Sequence, residues 1–129
     1  GRLDVVLECI HAGGVDTEAL PLRHRCIARS LEAGDPWPVG PARQPEVFEK
    51  LMDAGARAST EDLLELHWRP PCLYLQRLSP QSLLLVNGQV VQSRSSLLQH
   101  GFEVSACARG ARQELPVFTF RVLSKRTSV

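Results

Sequence analysis

A chain of 129 residues, 43% apolar and 22% charged, has the size and balance of one globular domain that buries its core without metal or disulfide staples. Lys plus Arg number 15 against 14 for Asp plus Glu, a formal net charge of +1, which argues against nucleic acid or a membrane surface as the partner. No apolar run reaches membrane-span length, GRLDVVLECIHAGG lacks the order of a signal peptide, and no initiator Met is present, so the expectation is a single domain over 1–129, excised from a larger intracellular protein, nuclear or cytoplasmic.

Residues 2–10 are rich in β formers and stop at the breaker Gly13-Gly14, as a strand followed by a loop does. A helix stays open here, because GRLDVVLECIHAGG resembles the second helix of an ankyrin repeat, and EVFEKLMDAGARAS and SSLLQHGFEVSA end similarly. The Ala-Gly or His-Gly pairs start at Ala12, Ala54 and His100, intervals of 42 and 46, where such a repeat needs about 33. In TEALPLRHRCIA, residues 17–28, Leu20 and Leu22 alternate ahead of Cys26 and Ile27. Residues 33–41 are dense in Pro and Gly and read as a loop with one short strand over 37–39. PEVFEKLMD, residues 45–53, is the best local helix, with Pro45 near its start and Gly55 near its stop.

After Gly55 the period falls to two. Leu64, Leu66 and Trp68 alternate with Glu65 and His67 up to Pro70-Pro71, and Leu73 and Leu75 alternate with Tyr74 and Gln76. Two apolar runs, 83–86 and 90–91, flank Asn87-Gly88, a pair that favours a tight hairpin, with the turn formers Ser79-Pro80-Gln81-Ser82 in front. A polar connection over 92–96, a short Leu97-Leu98, a turn at His100-Gly101 and a strand over 102–106 follow. A turn around Gly110 then leads to a last strand with Phe118, Phe120 and Val122 on one face and Val117, Thr119, Arg121 and Leu123 on the other. Strands this short, with turns this close, predict an all-β antiparallel sandwich or barrel with one short helix near 45–53.

This order of pieces resembles the forkhead-associated (FHA) domain, a β-sandwich of about eleven strands whose end loops bind phosphothreonine peptides. The family pattern Asp-Leu-x-Ser-x-Asn-Gly-Thr-aromatic-Val-Asn-Gly lies without a gap on residues 77–88, with its second Asn-Gly intact as Asn87-Gly88. Downstream, LLQHGFEVSA resembles the family's Leu-x-x-Gly-Asp-x-Ile turn and PVFTFRV its closing strand. Upstream, PWPVGPAR stands where the family has Ile-Gly-Arg, and STEDLLELHW where it has Ser-Arg-x-His and an alternating strand. The match runs from Trp37 to Val122.

The resemblance implies a peptide and phosphate site built from Arg43, Arg57, Thr60, Ser79, Ser82 and Asn87, with Arg77 as a further cation. Several positions depart from the pattern. Pro41 stands for the Arg after the glycine, Thr60 for the phosphate-binding Ser, Glu61 for its neighbouring Arg, Leu63 for the supporting His, and Ser82-Leu83 for Asn-Gly. A phosphate carrying a charge near −2 is held by charge-assisted donors. Pro41 supplies neither cation nor backbone N–H, and Glu61 adds repulsion. The expectation is a non-catalytic protein–protein interaction module with a degenerate phosphopeptide pocket, a scaffold or oligomerisation domain whose partner is a protein or phosphoprotein, with homodimerisation open. The alternative keeps phosphothreonine binding.

A second alternative is a small cysteine-dependent enzyme. Cys9, Cys26, Cys72 and Cys107 form no C-x-x-C pair and read as reduced thiols. Cys26 in RHRCIAR has basic neighbours that would lower its pKa, and Cys107 begins a C-x-x-G-x-R stretch that fits an anion-cradling loop. The first reads more simply as a core residue and the second as a turn, so no catalytic residue is assigned. No His spacing suits a metal, and neither metal nor cofactor is expected. Trp37 and Trp68 are expected in the core, Trp37 alternatively as an exposed hot spot.

Overall fold

A computed structural model describes residues 1–52, 62–78, 83–107 and 118–127. Strand β1 (Arg2–Ala12) buries Leu3, Val5, Leu7, Cys9 and Ala12 at near-alternate positions, which settles the opening segment as a strand and removes the helical-repeat reading. A 3₁₀ turn (Thr17–Ala19) and one turn of helix α1 (Leu22–Arg25) follow. The alternation of Leu20 and Leu22 therefore does not mark a strand: Leu20 packs on the core, while Leu22 is 61% exposed. Next come β2 (Cys26–Leu31), β3 (Pro36–Val39), α2 (Pro45–Leu51), β4 (Leu64–Arg69) and β5 (Cys72–Gln76). The chain closes with β6 (Leu84–Val86), β7 (Gln89–Val90), β8 (Ser95–Leu98), β9 (Glu103–Ala106) and β10 (Phe118–Thr127). The turn expected around Gly110 lies outside the described residues.

The strands form a six-stranded sheet, β2-β1-β10-β9-β6-β7, and a four-stranded sheet, β3-β4-β5-β8, in which every pairing is antiparallel. Between them sits one core, with the period-2 residues of both sheets turned inward. Trp37 and Trp68 are 4% and 2% exposed, so both are core residues and Trp37 is no surface hot spot. Arg126 covers the Trp68 ring 5.5 Å from its centroid. Helix α2 buries Val47, Phe48 and Leu51, and the Phe48 ring meets Phe118 edge-on at 5.7 Å and Phe120 at 6.2 Å. That aromatic cluster fixes the helix over one end of the sandwich.

Register identifies this end. Val39 pairs with Leu64, Glu65 with Gln76, and Leu84 and Phe118 both pair with Ala106. The connections β3–β4, β5–β6 and β9–β10 therefore all leave from one end, and that is the end where the FHA resemblance places its recognition loops.

Candidate functional site

The residues after β3 fold back tightly at that end. Gly40 O accepts the N–H groups of both Arg43 and Gln44 at 3.0 Å. The Gln44 side chain closes the turn from the other side, with Oε1 accepting Gly40 N–H at 2.9 Å and Nε2 donating to Pro38 O at 3.1 Å. Gly40 and Pro41 are buried by this clamp. Leu63 N–H donates to Val39 O at 2.7 Å, which draws the start of β4 alongside.

Arg43 projects from the clamp with 58% of its side chain exposed and meets Asp62, whose side chain is 20% exposed. Nε stands 3.3 Å from Oδ1 and Nη2 3.4 Å from Oδ2, a fork-to-fork pair. Arg43, one of the cations that the sequence offered for phosphate, thus already holds a carboxylate. Leu63, where the family has a His, packs against the core instead.

Of the remaining candidates, Arg57, Thr60, Ser79 and Ser82 lie outside the described residues. Arg77 is engaged in the fold: its Nη1 donates to Val91 O at 3.2 Å and its backbone N–H to Arg94 O at 2.9 Å. Asn87 does not join the loop end. It sits in the β6–β7 turn, three positions along from Leu84, with φ 51° beside Gly88 at φ 80°. Its Oδ1 accepts Glu103 N–H at 2.9 Å and its N–H donates to Glu103 O at 2.8 Å. The Asn-Gly pair forms the hairpin turn, and its side-chain oxygen holds β9.

Neither Cys9 nor Cys26 is an activated thiol. Burial pushes Cys9 up to about 11, and the Cys26 thiol is also raised, first by burial and then by the Glu8 carboxylate, against a smaller opposing pull from Arg25. Arg25 spends its guanidinium on the turn before α1, donating from Nη1 to Thr17 O at 2.9 Å and Glu18 O at 3.2 Å, with Glu8 Oε2 3.6 Å from its Nε. Arg25 therefore braces the fold, and its pull toward a Cys26 thiolate is outweighed by burial and Glu8. Cys9, Cys26 and Cys72 are free thiols, and residues 108–112 of the C-x-x-G-x-R stretch lie outside the described residues. Among the described residues no group of His, Cys, Asp and Glu has the arrangement of a metal site, and no helix is long and apolar enough to cross a membrane.

Sequence reasoning missed Gln44 and Asp62. Gln44 sits one position before the helix it was expected to precede, and only the local fold shows both its bonds. Asp62 is one more acid beside Glu61, and its pairing with a residue 19 positions earlier leaves no local trace.

No family model matches the sequence, and no curated protein matches it. Solved structures do. The FHA domain of CT664 protein from Chlamydia trachomatis superposes with a TM-score of 0.54 at 14% identity, over 95% of this chain and 97% of that one. The N-terminal FHA domain of Rad53p from S. cerevisiae, solved in complex with a phosphothreonine peptide, gives 0.53 at 17% identity over 92% and 91%. The solution structure of the yeast Rad53 FHA1 domain gives 0.56 at 17% over 95% and 77%. From β1 to β10, this chain has the forkhead-associated fold.

Proposed function

We propose that the domain is a non-catalytic protein–protein interaction module whose phosphopeptide pocket is degenerate, serving as a scaffold or oligomerisation unit in a larger intracellular protein. The observation that carries this reading is the Arg43–Asp62 pair at 3.3 Å. Phosphate recognition needs a cation free to face a dianion. Here Pro41 offers none, Arg77 bonds to Val91 O, Arg43 is matched by a carboxylate, and Arg57 lies outside the described residues. Protein partners, or a second copy of the chain, fit a sandwich end built this way better than a phosphate does.

A second reading, retained phosphothreonine binding, is favoured by one observation: Arg43 keeps 58% of its side chain exposed. An exposed pair is worth about 0–1 kcal/mol, little enough for a phosphate to displace Asp62. The raised pKa of Cys26 opposes the thiolate that a cysteine-dependent enzyme requires. Titration with a degenerate phosphothreonine peptide library separates the two binding readings. No saturation below millimolar supports the first. Micromolar binding that Arg43→Ala abolishes establishes the second.

A further inference from the structure

Among the described residues the sandwich has four edge strands, and they are not alike. Open edges invite other strands, and proteins blunt them with proline, charge or brevity. β3 carries Pro36 and Pro38, neither of which has an N–H to offer. β2 carries the exposed Arg29, and the Arg2–Glu32 ion pair at 2.6 Å stands just past its end. β7 and β8 carry neither proline nor charge, and β8 is four residues long.

β7 and β8 flank a groove of about 650 Å³. Val86, Val90, Val91, Leu97 and Phe102 give it an apolar lining, Asn, Gln and Ser side chains complete it, and among the described residues none of its walls is charged. Ser96, on the inner face of β8, and Leu97, on the outer face, both line it. A cavity touches both faces of one strand only by running along that strand's open edge.

The hydrogen-bond phase shows what that edge presents. Arg77 N–H bonds Arg94 O at 2.9 Å, so in this register the bonded pairs of β5 and β8 are 75 with 96 and 73 with 98. The backbone N–H and C=O of Leu97 consequently point away from β5, into the groove. On β7, Val91 N–H bonds Leu84 O at 2.9 Å, which turns the Val90 backbone outward by the same logic. These two residues are also among the few large apolar side chains left exposed, at 45% for Val90 and 41% for Leu97.

We infer that the β8 edge takes up an extended, uncharged segment of a partner protein as a fifth strand of the four-stranded sheet. The Leu97 backbone supplies the ladder bonds, and an apolar residue of the segment fills the groove against Val90 and Phe102. An uncharged occupant is chosen because a charged residue would be desolvated there with no opposite charge among the described walls. A strand is chosen over a second copy because two concave grooves facing each other leave their volume empty. This surface lies on the side of the sandwich and is independent of the loop end.

The probe is a blocked heptapeptide alternating Ser with Val or Leu, compared with a version carrying Lys and Glu in place of Ser and with one N-methylated at alternate amides. Each is titrated into ¹⁵N-labelled domain. Saturable shifts centred on residues 84–98, slowed exchange of the Leu97 amide, and about tenfold weaker binding of both comparison peptides are expected. Leu97→Lys, and the milder Leu97→Ser, weaken binding while circular dichroism stays unchanged, and excess phosphothreonine peptide does not displace the probe. Absence of saturation up to millimolar, equal binding of the charged peptide, or shifts centred on the loop end overturns the inference. So does a dimer in sedimentation that Leu97→Lys makes monomeric, since a second copy would then occupy the edge.

Discussion

Arg43 and Asp62 face each other fork to fork, at 3.3 and 3.4 Å, across the end of the sandwich where the recognition loops of this fold emerge. The pair is exposed enough that removing it changes stability by about 0–1 kcal/mol, yet it holds the Arg43 guanidinium against a carboxylate. Asp62→Asn is expected to leave the melting temperature almost unchanged and to bring phosphothreonine peptide binding into the measurable range by fluorescence anisotropy. Adding Arg43→Ala to that variant removes the gain. Equal peptide affinity in the wild type and Asp62→Asn would show that the carboxylate does not mask Arg43.

Gln44 closes the turn that carries Arg43, with one bond to Gly40 N–H and one to Pro38 O. Gln44→Leu keeps the volume and strands both backbone groups, for an expected loss of about 1–3 kcal/mol in urea denaturation. Gln44→Glu preserves the acceptor and loses the donor, so it falls between the wild type and Gln44→Leu. A ranking with Glu below Leu contradicts the assignment of the two bonds.

Phe48 is fully buried against Phe118 and Phe120. Phe48→Ala is expected to cost about 3–5 kcal/mol. Because α2 docks through this ring, amide exchange should rise first in residues 44–51. Uniform acceleration across both sheets would mean that the helix and the sandwich unfold as one unit.

Asn87 combines a φ of 51° with the bond from Glu103 N–H. Asn87→Gly keeps the left-handed backbone and loses the bond, whereas Asn87→Ala loses both and adds about 1–2 kcal/mol of backbone strain. The expected order of thermal stability is Asn, then Gly, then Ala, with peptide binding at the loop end untouched. A binding defect in Asn87→Gly would return this residue to the recognition site.

Cys9 is 1% exposed and its pKa is pushed up from 9.0 to about 11 by burial. The unfolded chain thus releases this proton before the folded one, and the folded state loses stability as pH climbs from 9 to 11. The loss is on the order of 2–3 kcal/mol. Cys9→Ala should flatten that part of the pH–stability curve in urea titrations. An unchanged slope in the variant assigns the dependence to other groups.

Where burial alternates, the sequence was readable. Leu64, Leu66 and Trp68, like Phe118, Phe120 and Val122, are buried as their period requires, because each sheet has one dry face and a slip of one residue would turn every apolar side chain outward. The start of β8 was not readable. Ser95 and Ser96 look like a polar connection and become strand through pairing with Gln76 and Leu75, about twenty positions earlier. Helix α1 was missed because four residues after Pro21 carry too little pattern to outvote Leu20 and Leu22. At the loop end, motif spacing located Arg43, but its charge partner is a tertiary fact. The Asn87-Gly88 pair announced its turn, but its lateral bond to Glu103 on β9 left no local trace.

β1 and β10 lie side by side in the interior of the six-stranded sheet, paired from Arg2 with Thr127 to Ala12 with Phe118. On the ribosome, β1 and β2 emerge ahead of the other described strands of this sheet, and the strand that links them to β9 follows all of those strands. The larger sheet cannot assemble until translation of the domain is almost finished, so folding is set by closing the longest loop in the chain. Nascent domains lacking residues 118–127 would expose the flanks of β1 and β9 together, and they are the species a chaperone would encounter.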